Sequence, residues 1–274
     1  MKKFGIALGG GGAKGLAHIS MLEVLDELGV RPHRISGTSI GAIMGVLYSS
    51  GLTASEMREG IGDLTATPRT LKELFEAKKL PSWIEFIGID VGRGSLLQVD
   101  RFLEQLETVI GVSQFEDLSI PLQVVAADFW AREEVVFEAG PIIPAVAASF
   151  ALPGIFKPVV MDGRVLVDGG SVNPLPYDLL LDECDIVIAV DVSGTRRPSD
   201  DLLPSYAETI FNTFQIAEET IVNQKMMAQP PSIYIQPEIE DVKVLEFHKA
   251  DQILEQSKPA RDRLREELDT LLER

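Results

Sequence analysis

Of its 274 residues the chain has a single cysteine, Cys184, so it can form no disulfide within itself, which fits a reducing compartment. Basic residues are short: 25 Lys and Arg stand against 42 Asp and Glu, for a formal charge of −17. That deficit argues against nucleic acid, whose phosphates would be repelled, and against non-specific adsorption to an anionic membrane. Any membrane contact needs an apolar patch or a local basic one. There is no run of 18 uninterrupted apolar residues, so no transmembrane helix is expected. Met1-Lys2-Lys3 is followed by only five residues, Phe4 to Leu8, before four glycines, which is too short for the apolar stretch of a secretory signal. The expectation is a cytoplasmic protein. Histidine is also scarce: His18, His33 and His248 are the only three. With no His-Glu-x-x-His and no cysteine–histidine cluster, neither a catalytic metal nor another cofactor is expected.

Glycine is plentiful, and two glycine-rich stretches organise the chain. The first, Gly9 to Gly15, follows an apolar run, Phe4 to Leu8, suited to a central parallel strand. It precedes a helical pattern, with Leu16, Ile19, Leu22 and Leu25 recurring at three and Gly29 at the end. Gly10, Gly12 and Gly15 match a dinucleotide fingerprint, but the second strand ends without the carboxylate that would hold a ribose. Gly15 is followed by Leu16-Ala17, so the phosphate-cradling Gly-Lys-Ser/Thr is missing. Two readings remain: a tight strand-to-helix turn, or an oxyanion hole in which consecutive glycines let N–H groups converge on one point.

The second stretch, Gly37-Thr38-Ser39-Ile40-Gly41, has the spacing of a nucleophile elbow, a sharp strand-to-helix corner with a serine at its tip. A short β-like run, Arg34 to Ser36, precedes it, and an apolar helix pattern from Ile40 to Tyr48, closing at Gly51, follows. Ser39 then lies at a helix N-terminus, where free N–H groups favour developing negative charge.

A serine hydroxyl needs a group to take its proton. In the chain order of an α/β-hydrolase only His248 could serve, and it reads more simply as a surface residue where a helix begins. The other candidate is Asp168, which ends the strand Arg164 to Val167 and is followed by Gly169-Gly170. Asp-Gly is also a common turn pair, so a turn role competes. A carboxylate is a weak base toward serine unless it is held within hydrogen-bond reach, made more basic by burial and paired with strong oxyanion donors.

Elsewhere, residues 121–127 and 185–191 read as buried strands, and 133–137 as a neighbour of the first. Residues 141–150 read as a buried helix in which Ser149 is a packing residue. The proline-punctuated segment 153–158 is placed to line an acyl pocket. Two lysines beside Trp83, Phe86 and Ile87 leave residues 78–88 open to two readings, an interfacial lid or a helix packed on the core. Residues 205–229 form a long helix, 232–236 a last strand, and 251–274 a solvated terminal helix divided by Pro259. Repeats and linkers are absent, so one domain spanning 1–274 is expected, with core motifs over about 3–191 and a helical extension over about 205–274.

Gly10-Gly11-Gly12-Ala13-Lys14-Gly15, Gly37-Thr38-Ser39-Ile40-Gly41 and Asp168-Gly169-Gly170, in that order, resemble the patatin-like phospholipase family. The resemblance extends over roughly residues 3–191 and includes Asn173-Pro174-Leu175-Pro176. It implies a three-layer α/β/α sandwich with a mostly parallel sheet, related to the α/β-hydrolases. It also implies a Ser–Asp dyad without histidine: Ser39 as nucleophile, Asp168 as base. The backbone of Gly10, Gly11 and Gly12 with the N–H of Ile40 would form the oxyanion hole. Lys14, where many members carry arginine, would support that loop, with Gly15, Gly37, Gly41, Gly169 and Gly170 as supporting positions. Gly170 stands where some members carry alanine, an interchangeable small residue. The implied reaction is hydrolysis of a lipid or other acyl ester through an acyl-serine, with transient membrane contact. A Ser-His-acid hydrolase using His248 and a non-catalytic lipid-binding regulatory protein are the rival readings.

Overall fold

A computed structural model describes residues 2–62, 95–194, 203 and 206–273. The segment 78–88, with its two readings, lies outside them. The strands are β1 Phe4–Leu8, β2 Arg34–Thr38, β3 Leu122–Asp128, β4 Glu133–Phe137, β5 Val159–Met161, β6 Arg164–Asp168, β7 Ile186–Val190 and β8 Ile233–Ile235; all but the short β5 take up runs expected from sequence, with little adjustment of their ends. The helices are α1 Ala17–Leu28, α2 Ile40–Ser49, α3 Ala54–Gly62, α4 Ser95–Ile110, α5 Ile142–Ser149, α6 Tyr206–Ala228, α7 Ala250–Gln256 and α8 Lys258–Leu272. Local signals explain their ends. Gly29 takes the left-handed conformation, φ 65°, that closes α1. Thr53 and Glu56 bond reciprocally at the start of α3, as a capping box does.

The strands form one sheet in which β3, β2, β1, β7 and β8 are parallel neighbours. β1 and β7 are buried along their whole length, as the central strands of a doubly covered sheet must be. Alternation along them separates two cores. Ile6, Leu8, Ile188 and Val190 face the larger one with α1, α2, α4 and α5. Ala7, Val187 and Ala189 face the smaller one, covered by Leu175, Tyr177, Leu180 and Val222 of α6. The fold is thus the α/β/α sandwich that the motifs imply, unevenly covered.

Three strands depart from the parallel order. β4, β5 and β6 are antiparallel, with β4 and β6 both pairing with β3. Asp168 therefore closes a strand that is antiparallel to both of its neighbours. β4 runs beside Val124–Asp128 and takes one edge of β3. β2, opposite residues 122–125, and β6, opposite residues 126–128, must share the other edge. Thr38 ends β2 opposite Val125, and Asp168 ends β6 opposite Ala126. The two strand ends meet head to head.

The terminal segment is not simply solvated. Leu264 and Leu268 of α8 are fully buried in the larger core, and Ser257, between α7 and α8, bonds to Ser20 of α1. Replacing Leu268 by Ala is expected to lower the unfolding free energy by about 2–5 kcal/mol, the usual cost of emptying a core leucine site. Chemical denaturation checks this, with the exposed Glu273→Ala as a control that leaves the midpoint in place.

Candidate active site

Ser39 sits at the corner between β2 and α2 with φ 56° and ψ −123°, a conformation that a side chain adopts only under constraint. Its carbonyl accepts the first helical bonds, from Ala42 and Ile43. The flanking glycines are required by close approach. A β-carbon at Gly41 would stand 2.0 Å from the Leu8 carbonyl oxygen, and one at Gly37 would stand 2.6 Å from that of Gly41. The Ser39 N–H donates to Ser149 Oγ at 2.9 Å, and Ser149 in turn donates to the Val125 carbonyl at 2.6 Å. Ser149 is thus more than packing. It ties the strained corner to β3 at the point where β2 stops.

The head-to-head strand ends bring the predicted pair together. Ser39 Oγ donates to Asp168 Oδ2 at 2.7 Å. Asp168 Oδ1 accepts from the Gly170 N–H at 2.8 Å, so the residue also caps the short 3-10 turn Gly169–Ser171. The turn role and the partner role coexist, one on each oxygen. Asp168 is 2% exposed. Burial pushes its carboxyl up to about 6, against the opposing pull of the Gly170 and Ser39 bonds.

The glycine loop lies beside them. The Gly10 N–H donates to the Pro174 carbonyl at 2.9 Å, which takes it out of the expected oxyanion donors, and Gly9 donates to Val190. Among the described residues no acceptor takes the Gly11 N–H. Gly12 has a φ of 58° and lies against Val244, whose carbonyl binds the Ala13 N–H. Gly15 lets the loop press on Ile40, where a β-carbon would come within 2.4 Å, and Gly169 similarly abuts the Val125 carbonyl. Lys14, 3% exposed, donates to the Ser193 carbonyl and braces the loop from behind.

The histidines take other places. His18 is fully buried, with Nε2 bonded to the Gly9 carbonyl at 2.9 Å, and burial drives it down to about 4. It is a neutral strut under the loop. His248 is exposed in the 3-10 turn Phe247–Lys249, so the Ser-His-acid arrangement is not assembled: the Ser39 hydroxyl is bonded to Asp168.

A cleft opens over Ser39 and Asp168. Phe102, Phe150 and Phe156 stack edge to face along one side, so the segment 153–158 does reach the pocket, through Phe156. The other side is supplied by α6, through Phe211, Phe214, Gln215 and Glu218, and by Val244 and Phe247 of the C-terminal extension. Glu218 was not apparent from sequence. The available signal was the spacing of Phe211, Phe214 and Glu218 on one helical face, an acidic residue in an apolar stripe. Burial, and the nearby Asp168 and Asp191 carboxylates, push Glu218 up to about 8. An alanine at position 170 would place its β-carbon 2.1 Å from Glu218 Oε1, so the end of that side chain would have to shift to admit it.

The family described as patatin-like phospholipase matches residues 6–181. The chain belongs to the patatin-like phospholipase family. It is 34% identical over 202 residues to an uncharacterized NTE family protein of Mycobacterium tuberculosis, covering 73% of this chain and 52% of the relative. It is 28% identical over 277 residues to human patatin-like phospholipase domain-containing protein 6, covering 90% of this chain and 19% of that protein. The chain therefore spans about half the length of the mycobacterial relative, and less of the human one. Among solved structures it resembles VipD of Legionella pneumophila with a TM-score of 0.53 at 13% identity, covering 95% of this chain and 67% of that one. That likeness supports the patatin fold.

The Asp168 carboxyl binds its proton more tightly in the folded chain than in the unfolded one. Ionising it therefore costs stability that is intact below about pH 4 and lost as pH rises through about 6. Asp168→Asn keeps the shape and removes the charge. Melting curves are expected to show the variant more stable than the parent at pH 8, by up to about 3 kcal/mol, with the gain vanishing near pH 4.

Proposed function

We propose that this patatin-like protein hydrolyses lipid acyl esters through an acyl-serine intermediate on Ser39, with Asp168 as general base. The observation that carries this reading is the 2.7 Å bond between Ser39 Oγ and Asp168 Oδ2 at the floor of an apolar cleft. The acyl chain lies along Phe102, Phe150 and Phe156, where its burial contributes about 0.8 kcal/mol per methylene. As Ser39 Oγ attacks the ester carbonyl, its proton passes to Asp168, whose raised basicity suits transfer near neutral pH.

Charge then develops on the carbonyl oxygen. The N–H groups of Gly11, Gly12 and Ile40 are the donors assigned to it, at the start of α2 where the helix dipole adds in the same sense. Gly10 holds the loop through Pro174 rather than meeting the substrate. Collapse of the tetrahedral intermediate releases the alcohol, and water repeats the sequence on the acyl-serine. No step calls for a metal.

Contact with a lipid surface has a structural candidate in Phe129 and Trp130, exposed and edge to face at the β3–β4 turn, with exposed Val160 on β5. The charge of −17 makes an apolar contact of this kind a better fit than electrostatic adsorption.

A fluorophosphonate probe tests the chemistry. Labelling is expected at Ser39, absent in Ser39→Ala and slowed about 1,000-fold or more in Asp168→Asn. The wild-type labelling rate should rise with pH and level off above about 6, as Asp168 ionises. A protein left unlabelled by several acyl-mimicking probes would instead be a lipid-binding module.

A further inference from the structure

Among the described residues whose side chains line the cleft, polar groups come only from Ser39, Asp168, Gln215 and Glu218. Glu218 is the second carboxyl of the site, and its position is set by a glycine. A β-carbon at residue 170 would stand 2.1 Å from Glu218 Oε1 and 3.1 Å from Asp168 Oδ1. The two carboxyl groups therefore flank the same Cα, with no side chain between them. Asp168 bonds Ser39 through Oδ2, and Glu218 approaches the same Gly170 Cα as Asp168 Oδ1; Ser39, Asp168 and Glu218 all line the one cleft.

The charged groups facing Glu218 are Asp168 from β6, Asp191 just after β7 and Lys14 from the glycine loop. Burial and the two carboxylates favour its neutral form, and Lys14 opposes them less strongly. It titrates near 8 while Asp168 titrates near 6. Near neutrality one carboxyl holds a proton and the other does not. Two carboxyls with their proton affinities pushed apart by their surroundings are the arrangement that separates an acid from a base.

We propose that Glu218 is the general acid of the site, donating its proton to the departing alcohol oxygen while Asp168 takes the proton of Ser39. This rests on the acyl-serine reading above. In acylation the Ser39 Oγ–carbonyl carbon bond forms as the serine proton moves to Asp168. The ester C–O bond breaks as the alcohol oxygen receives the Glu218 proton. Asp168 is then protonated and Glu218 ionised, and a water passing the proton across Gly170 restores both. In deacylation Asp168 takes a proton from the attacking water and returns it to Ser39 Oγ as the acyl–serine bond breaks. The substrate class that needs such an acid is an ester of an aliphatic alcohol, such as an acylglycerol, whose alkoxide is too basic to leave unaided. An activated aryl ester does not need it.

The test compares two esters of one acyl chain, a p-nitrophenyl ester and a 1-monoacylglycerol, in Glu218→Gln and in Gly170→Ala. The second variant displaces the carboxyl without changing its chemistry. Both are expected to lose about 100-fold more rate on the monoacylglycerol than on the nitrophenyl ester, within the usual range for general acid catalysis. In the wild type kcat/KM for the monoacylglycerol should fall above about pH 8, and this fall should disappear in Glu218→Gln. Equal losses on the two esters, or an alkaline fall retained in Glu218→Gln, overturn the proposal. A wild-type protein inert toward both esters and unlabelled at Ser39 overturns the acyl-serine reading itself, and this one with it.

Discussion

The hydrogen bond from Ser39 to Asp168 spans 129 positions of sequence and depends on how one strand shares its edge. β3 is long enough to pair with β2 along its first half and with β6 along its second, on the same side. β2 runs toward the junction and β6 runs back toward it from the opposite direction. A serine placed just past the end of the first and an aspartate closing the second must then face each other across a short gap. A slip of one residue in either register would turn the side chain to the other face of the sheet. Ser149 and Gly169 both lie against the Val125 carbonyl, the point at which one pairing gives way to the other.

The same junction sets the electrostatics. Asp168 is buried where β6 ends, so its charge is costly and its affinity for a proton rises. The loop Gly9–Gly15 is anchored by the Pro174 and Val190 carbonyls and by neutral His18. These bonds fix the backbone of the loop, the preorganisation that the proposed oxyanion role would require. The strain at Ser39 belongs to the same design: glycines at 37 and 41 let the corner close, and the surrounding bonds hold it.

The cleft draws its two sides from different parts of the chain. Its aromatic side comes from α4 and the segment after α5, while its other side comes from α6 and the loop around Val244 and Phe247. α6 is held at its C-terminal half, where Val222 is buried and Lys225 bonds Asn173, Leu175 and Asp178. Its N-terminal half reaches over the site. The family match ends at residue 181, so this wall lies beyond the matched region.

Local order was legible from sequence because it follows from local rules. Phe4–Leu8 is a strand since it is short, apolar and bounded by glycine. Ile40–Ser49 is a helix since nothing in it breaks one. Gly37-x-Ser39-x-Gly41 forms a corner since only glycine tolerates the backbone contacts on either side. Motif order was enough to pair Ser39 with Asp168, whose side chains the fold brings into a hydrogen bond. The antiparallel course of β6, the bond from Ser149 to Ser39, the loss of Gly10 to Pro174, the buried face of α8 and the approach of Glu218 to Gly170 were decided by tertiary structure. Each is a contact between segments distant in sequence, set by which strand edges and helix faces remain open once the sheet has formed, and no local pattern encodes that.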